Sequence, residues 1–173
     1  MKFTWFNLMG GMIAAEMACV APHDVGKLAL VDAAGLWIDA HPIPDLFALL
    51  PFEIVNLLFH DPAQGAALLT GGLDLGDTEA LKEFYIGNAR RMAMAGKILF
   101  PVPNRRVSKR LYRLSAETLV LWGASDTLMP PVYAERWATL IPHATVALIE
   151  GAGHMLPYEE PDAFVAALAQ FLG

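Results

Sequence analysis

The sequence predicts an α/β fold built on a parallel sheet, and three observations carry that reading. Short apolar runs of strand length recur at Lys27–Val31, Thr118–Trp122 and Thr145–Ile149. Stretches rich in helix formers separate them, and strand–helix–strand alternation means a parallel sheet. Apolar residues make up 55% of the 173-residue chain, against the roughly 45–50% usual in soluble domains.

Lys2–Phe6 reads as a short aromatic-rich strand end, and Gly10–Gly11 punctuates it. Met12–Cys19 holds strong helix formers and stops before Pro22, because the residue preceding a proline avoids helical angles. The run ending at Val31 is bounded by Gly26 and Asp32, which suits a buried strand. This opening is a crossover unit of a parallel sheet.

The middle, from Gly35 to Ser115, has another texture. Prolines 42, 44, 51 and 62 cut it into short helical pieces, and Leu46, Leu49, Leu50, Ile54, Leu57 and Leu58 recur at helical spacing. Asp61-Pro62 has the chemistry of a helix start. Asp77 or Thr78 can cap a longer helix that runs toward Phe100 and ends at Pro101 and Pro103. The last third returns to alternation: the strand Thr118–Trp122, a helix over Tyr133–Leu140, the strand Thr145–Ile149, and a terminal helix from Pro161 to Leu172.

Composition excludes several classes. The high apolar share excludes intrinsic disorder. Twelve Lys+Arg against eighteen Asp+Glu give a formal charge of −6, which argues against nucleic acid as the partner. One cysteine, Cys19, excludes an internal disulfide and a cysteine-based zinc site. No apolar stretch reaches the ~18 residues of a spanning helix, so no membrane partner is expected. The first twenty residues mimic a signal peptide, but Glu16 and Gly10–Gly11 interrupt the pattern, and the expected location is cytoplasmic. His23, His41, His60 and His143 lack ligand spacing, so neither metal nor cofactor is expected.

Ligands of open parallel sheets bind beyond the carboxyl ends of the strands. Gly123-Ala124-Ser125-Asp126 and Gly151-Ala152-Gly153-His154 each follow a strand. A carboxylate and an imidazole on neighbouring strand ends can meet, the acid orienting the ring while the ring takes a proton from a nucleophile. As simpler readings, Asp126 caps a turn and His154 bonds backbone within the core. Ser125 reads as a turn residue and Cys19 as a small buried hydrophobe. Met9, Met12, Met17, Met92 and Met94 read as adaptable core. Arg105, Arg106, Lys109, Arg110 and Arg113 read as a solvated basic face, with an anion contact as the sharper alternative.

These residues resemble the α/β-hydrolase family. Leu-Val-Leu-Trp-Gly-Ala-Ser-Asp-Thr-Leu-Met-Pro-Pro looks like its strand and acid turn, and Gly-Ala-Gly-His-Met-Leu-Pro-Tyr-Glu-Glu-Pro like its histidine loop and last helix. Asn7-Leu8-Met9-Gly10-Gly11-Met12-Ile13-Ala14-Ala15-Glu16 is similar to its strand–elbow–helix, and the order nucleophile, acid, histidine matches. The resemblance implies a partial parallel sheet of the α/β-hydrolase type, with residues 1–34 and 116–173 as core. Residues 35–115 would be a mainly helical cap (lid). It implies catalytic roles for His154 and Asp126, and an oxyanion-hole amide at Met9.

The resemblance covers only the second half of that fold, without the early strands and the loop giving the other oxyanion amide. G-x-S-x-G would put its serine at position 8, where this chain has Leu8, and Phe6 stands where a small residue is expected. The only serines are Ser108, Ser115 and Ser125. Leucine has no nucleophilic atom, so the covalent step cannot start there.

Three functions follow as expectations. The first is a truncated pseudoenzyme of the hydrolase lineage, inactive or very weak on ester or C–C bonds. The second is a residual hydrolase in which His154 and Asp126 activate water against a small apolar ester or ketone substrate. The third is an assembly module that pairs as a dimer or other homo-oligomer through a sheet edge left uncovered near Lys2–Phe6.

Overall fold

A computed structural model describes residues 3–74, 76–99 and 106–173. Strand β1 (Phe3–Asn7), helix α1 (Leu8–Val20) and strand β2 (Lys27–Ala33) form the first unit. Helices α2 (Pro51–Leu58), α3 (Pro62–Thr70) and α4 (Thr78–Leu99) follow. Then come β3 (Glu117–Gly123), α5 (Val132–Leu140), β4 (Ala144–Ile149), α6 (Leu156–Glu159) and α7 (Pro161–Leu172). The strands lie in the order β1-β2-β3-β4, and every pairing is parallel. Sheet order equals chain order, so each crossover steps over by a single strand.

Successive side chains of a strand point to opposite faces, and this sorts the core into two layers. Leu28, Leu30, Val120 and Trp122 meet Ala14, Ala15, Ala18, Tyr133 and Trp137 from α1 and α5. Ala29, Val31, Leu119 and Leu121 meet Phe164 and Leu168 of α7. With helices on both faces every residue of β2 is buried, which is why its sequence is a continuous apolar run rather than an alternating one. Full burial of one large apolar side chain here contributes about 1.5–3 kcal/mol.

Polar groups tie the layers at their margins. The buried Lys27 donates from Nζ to the Phe171 carbonyl at 2.6 Å, placing a cation at the negative end of α7. Trp137 Nε1 donates to Ala33 at 3.0 Å, joining α5 to the end of β2. Arg110 grips both carboxylate oxygens of Glu16 on α1, one at 2.7 Å, and the Arg113 guanidinium lies over the Tyr112 ring.

Several expectations meet the structure with changed bounds. The first strand runs over Phe3–Asn7, with Lys2 outside the described residues. The first helix begins at Leu8, not Met12, and Gly10–Gly11 lie inside its opening turns. Gly11 is buried there, so packing outweighs the low helix propensity of glycine. Asp61 caps α3 through Ala63 and Gln64, as its chemistry implies. Asp77 accepts from Glu79 at 3.0 Å at the head of α4. Phe100, Pro101, Pro103 and Arg105 lie outside the described residues. Met17 and Met94 are exposed rather than core. No helix among the described residues is long and apolar enough to cross a membrane.

Candidate active site

β3 and β4 are neighbours, so the loops that leave their carboxyl ends are forced together. Asp126 follows β3 and His154 follows β4, and His154 Nδ1 lies 2.8 Å from Asp126 Oδ2. Both are almost fully buried, at 2% and 1% exposure. Asp126 Oδ1 accepts the N–H groups of Leu128 and Met129, each at 2.9 Å, which fixes the carboxylate in one orientation. With a carboxylate at Nδ1, that nitrogen is the donor of the pair. Nε2 is buried and has no hydrogen-bond partner, so no hydroxyl or thiol of the described residues holds it.

The sequence braces this arrangement in three ways. Trp122 Nε1 donates to the Met129 carbonyl at 2.8 Å and closes the acid loop. Ala124 and Ser125 donate to Ile149 and Ala152, each at 2.9 Å, and so stitch one loop to the other. Gly123 permits the closest approach: a Cβ there would stand 2.1 Å from the Gly153 carbonyl oxygen, so only glycine fits.

Residues 57–60, at the end of α2, are fastened to both loops. Thr127 Oγ1 donates to the Leu57 carbonyl at 2.9 Å, and Met155 N–H donates to the Leu58 carbonyl at 3.2 Å. Glu159, buried in α6, accepts from Gly153 and from His60. A cavity of about 720 Å³ opens between α2, α3 and α4, starting beside Leu58. Phe52, Leu69 and Phe84 give it apolar walls, and Asn88 and Arg91 supply polar groups. That is the size and character of small-molecule pockets in general.

Leu8 stands at the joint of β1 and α1 with φ at 46°. A branched apolar residue adopts the left-handed region only when its surroundings impose it. Here the Ala34 N–H donates to the Leu8 carbonyl at 2.9 Å, and Leu8 bridges Ala33. The Leu8 side chain packs against the core shared by α1 and α5. Met9 is the next residue, in the first turn of α1. Cys19 is buried further along that helix; burial first, then the Glu16 charge, push its thiol up, which disfavours the reactive thiolate.

Two residues of the site carry no role in the sequence reading. Asp32 lies at the carboxyl end of β2 with no exposed surface and with φ at 41°. Its Oδ1 accepts the Gly123 N–H at 2.9 Å, and its Oδ2 is buried without a partner. The signal available was position: a carboxylate that closes an apolar strand, beyond which ligands bind. Glu159 is the other, and its context, Tyr-Glu-Glu-Pro, reads simply as the entry to the last helix. Asp32, Asp126 and His154 each bring a donor atom within 4.8 Å of the others. Nδ1 and Oδ2 are engaged with each other, so the set is a hydrogen-bonded pair with a third acid beside it rather than an ion cage.

Comparisons with known proteins agree over nearly all of the chain. A family model described as the alpha/beta hydrolase family matches residues 9–167. The chain is 27% identical to a 2-hydroxy-6-oxononadienedioate/2-hydroxy-6-oxononatrienedioate hydrolase of Comamonas testosteroni, covering 96% of this chain and 60% of that protein. It is 25% identical to a putative esterase/lipase of Haemophilus influenzae, covering 95% and 58% respectively. The solved structure of 2-hydroxy-6-oxo-6-phenylhexa-2,4-dienoate hydrolase from Rhodococcus sp. strain RHA1 superposes with a TM-score of 0.74 at 20% identity, over 97% of this chain and 62% of that one. The chain spans about 60% of the length of the curated relatives it matches.

Proposed function

The chain belongs to the alpha/beta hydrolase family, and from that premise we propose that it keeps the acid–histidine half of the hydrolase apparatus without the attacking side chain. In this reading Leu8 occupies the elbow where the nucleophile belongs, Met9 offers the adjoining oxyanion amide, and residues 35–115 form the cap. The observation that carries it is the left-handed Leu8 at the β1–α1 joint. The backbone has the sharp strand-to-helix turn of a nucleophile elbow, while the side chain has no atom that can attack a carbonyl. A covalent acyl or alkyl intermediate therefore does not form on this chain. The ligand class follows from relatives whose names include hydrolases of oxo-dienoates and esterase/lipase. We take it to be an apolar ester or ketone, bound beneath the cap.

The test is a serine-directed fluorophosphonate incubated with the purified chain, read by intact mass. The unmodified mass is expected, with Leu8→Ser as the comparison that tests whether the elbow accepts the probe. Addition of a phosphonyl group to the unsubstituted chain would overturn the reading.

One observation favours a second reading. Nε2 of His154 is free of partners while Nδ1 is held, which is the arrangement of a general base for water. Slow ester turnover that disappears in His154→Ala would support it, and equal turnover in that variant would exclude it.

A further inference from the structure

Asp32 combines features that its place in a strand does not require. It has no exposed surface and a left-handed backbone, a region that aspartate visits more readily than most side chains but rarely inside a strand. Strained, buried polar residues of this kind concentrate at functional sites. Its Oδ1 takes the N–H of Gly123, the residue from which the acid loop departs and against which Gly153 closes. Its Oδ2 is an orphan.

The neighbouring acid decides what Asp32 is. Two carboxylates so close together in a water-excluded site do not both ionise readily. Asp126 has the N–H groups of Leu128 and Met129 and the His154 ring around it, whereas Asp32 has the single donor of Gly123. Of the two, Asp32 is the less equipped to hold a charge, and the proton settles there. The titratable groups facing Asp32 are Asp126 from the β3–α5 loop, His154 from the loop after β4, and Glu159 from α6. Burial holds the Asp32 carboxyl well above the usual range; the charges of Asp126 and Glu159 add to this and the Gly123 N–H opposes it. A proton on Oδ2 also leaves that unpartnered oxygen neutral, which costs less in a buried site than an unpaired anion.

We propose that Asp32 is a positioning residue of the Asp126–His154 pair: a neutral carboxylic acid that anchors the root of the acid loop through Gly123 and leaves Asp126 as the only negative charge against the ring. Loss of its proton sets a second anion beside Asp126 and loosens that carboxylate from His154. The inference stands on the Asp126–His154 hydrogen bond and not on the missing attacking group, so it survives or fails independently of the proposed function.

The experiment is carboxyl 13C NMR of the full chain labelled at aspartate, followed from acid to alkaline pH, with the Asp32 signal assigned by its link to its own amide. Asp32 is expected to remain protonated where every exposed aspartate has already ionised. Its titration should move down in Asp126→Asn, which removes the neighbouring charge. In the same series, the downfield Nδ1–H proton of His154 should weaken over the pH range in which Asp32 ionises, and should lose that dependence in Asp32→Asn. A purely structural Asp32 would leave the ring proton with the same pH dependence in both proteins. Ionisation of Asp32 together with the exposed aspartates overturns the proposal, and it does so in the unsubstituted protein, whatever the folding of the variants. An unchanged pH dependence of the ring proton in a folded Asp32→Asn overturns it as well.

Discussion

Glu159 accepts the Gly153 N–H at 2.8 Å through one oxygen and the His60 N–H through the other, so a single buried carboxylate joins the histidine loop to the end of α2. Glu159→Ala strands both donors, and each unsatisfied buried donor costs roughly 1–3 kcal/mol. Amide hydrogen exchange at Gly153 and His60 should accelerate together in this variant. Glu159→Gln keeps one acceptor oxygen and should protect only one of the two amides. Unchanged exchange at both positions in Glu159→Ala would show that the tie is incidental.

Asp126 serves three donors, two from the backbone and one from the ring. Asp126→Ala is expected to lower stability by about 2–4 kcal/mol in urea unfolding, within the range for breaking a buried network. Asp126→Asn keeps an acceptor for Leu128 and Met129 and should cost less. Its amide N–H₂ now faces Nδ1, so the ring proton moves to Nε2, which 15N shifts of the imidazole read directly. Retention of the Nδ1–H form in Asp126→Asn would mean that another group sets the tautomer.

The contact between the two loops leaves no room at Gly123. A Cβ at that position meets carbonyl oxygens of Gly153 and Ala152 at 2.1 and 2.7 Å. Gly123→Ala should therefore cost about 3 kcal/mol or more, the upper end of overpacking effects. At Gly153 the added Cβ meets the backbone of residues 58–60 at 2.8–3.0 Å, so Gly153→Ala should push that segment away and expose the His60 amide. Thermal unfolding and exchange of His60 distinguish the two outcomes, and wild-type behaviour in either variant would contradict the packing described.

Asp32 gives stability a dependence on pH with a definite sign. Its folded carboxyl titrates above the unfolded one, because of burial first and the Asp126 charge second. Below the ordinary carboxylate range both states hold the proton and the group contributes nothing. As pH rises through that range the unfolded chain releases its proton while the folded chain retains it, so stability falls by up to about 1.4 kcal/mol per pH unit. The fall ends once Asp32 ionises in the folded state. Asp32→Asn should remove this decline, so its stability relative to the unsubstituted chain should rise with pH. Urea midpoints measured from acid to mildly alkaline pH test it, and parallel curves would refute it.

The parts of the site that sequence reached are those set by local pattern. The strands announce themselves by apolar runs, and their carboxyl ends locate Asp126 and His154. Position 8 was legible only through the resemblance of residues 7–16 to the strand–elbow–helix of the α/β-hydrolase family. The start of α1 was less legible: Gly10–Gly11 reads as a break, and only packing of Gly11 beneath its neighbours lets the helix run through it. Asp32 and Glu159 escaped for another reason. Their partners Gly123 and His60 lie 91 and 99 residues away in the chain, and no periodicity or spacing rule joins residues that meet only after the sheet has assembled.

The fastening of residues 57–60 has a mechanical consequence. Leu57 and Leu58 are bonded to the loops at the strand ends and His60 to Glu159 of α6, whereas α3 and α4 beyond them make no comparable bond to these segments among the described residues. The helical layer is thus clamped to the strand ends at one margin, and every one of these bonds falls before Asp61.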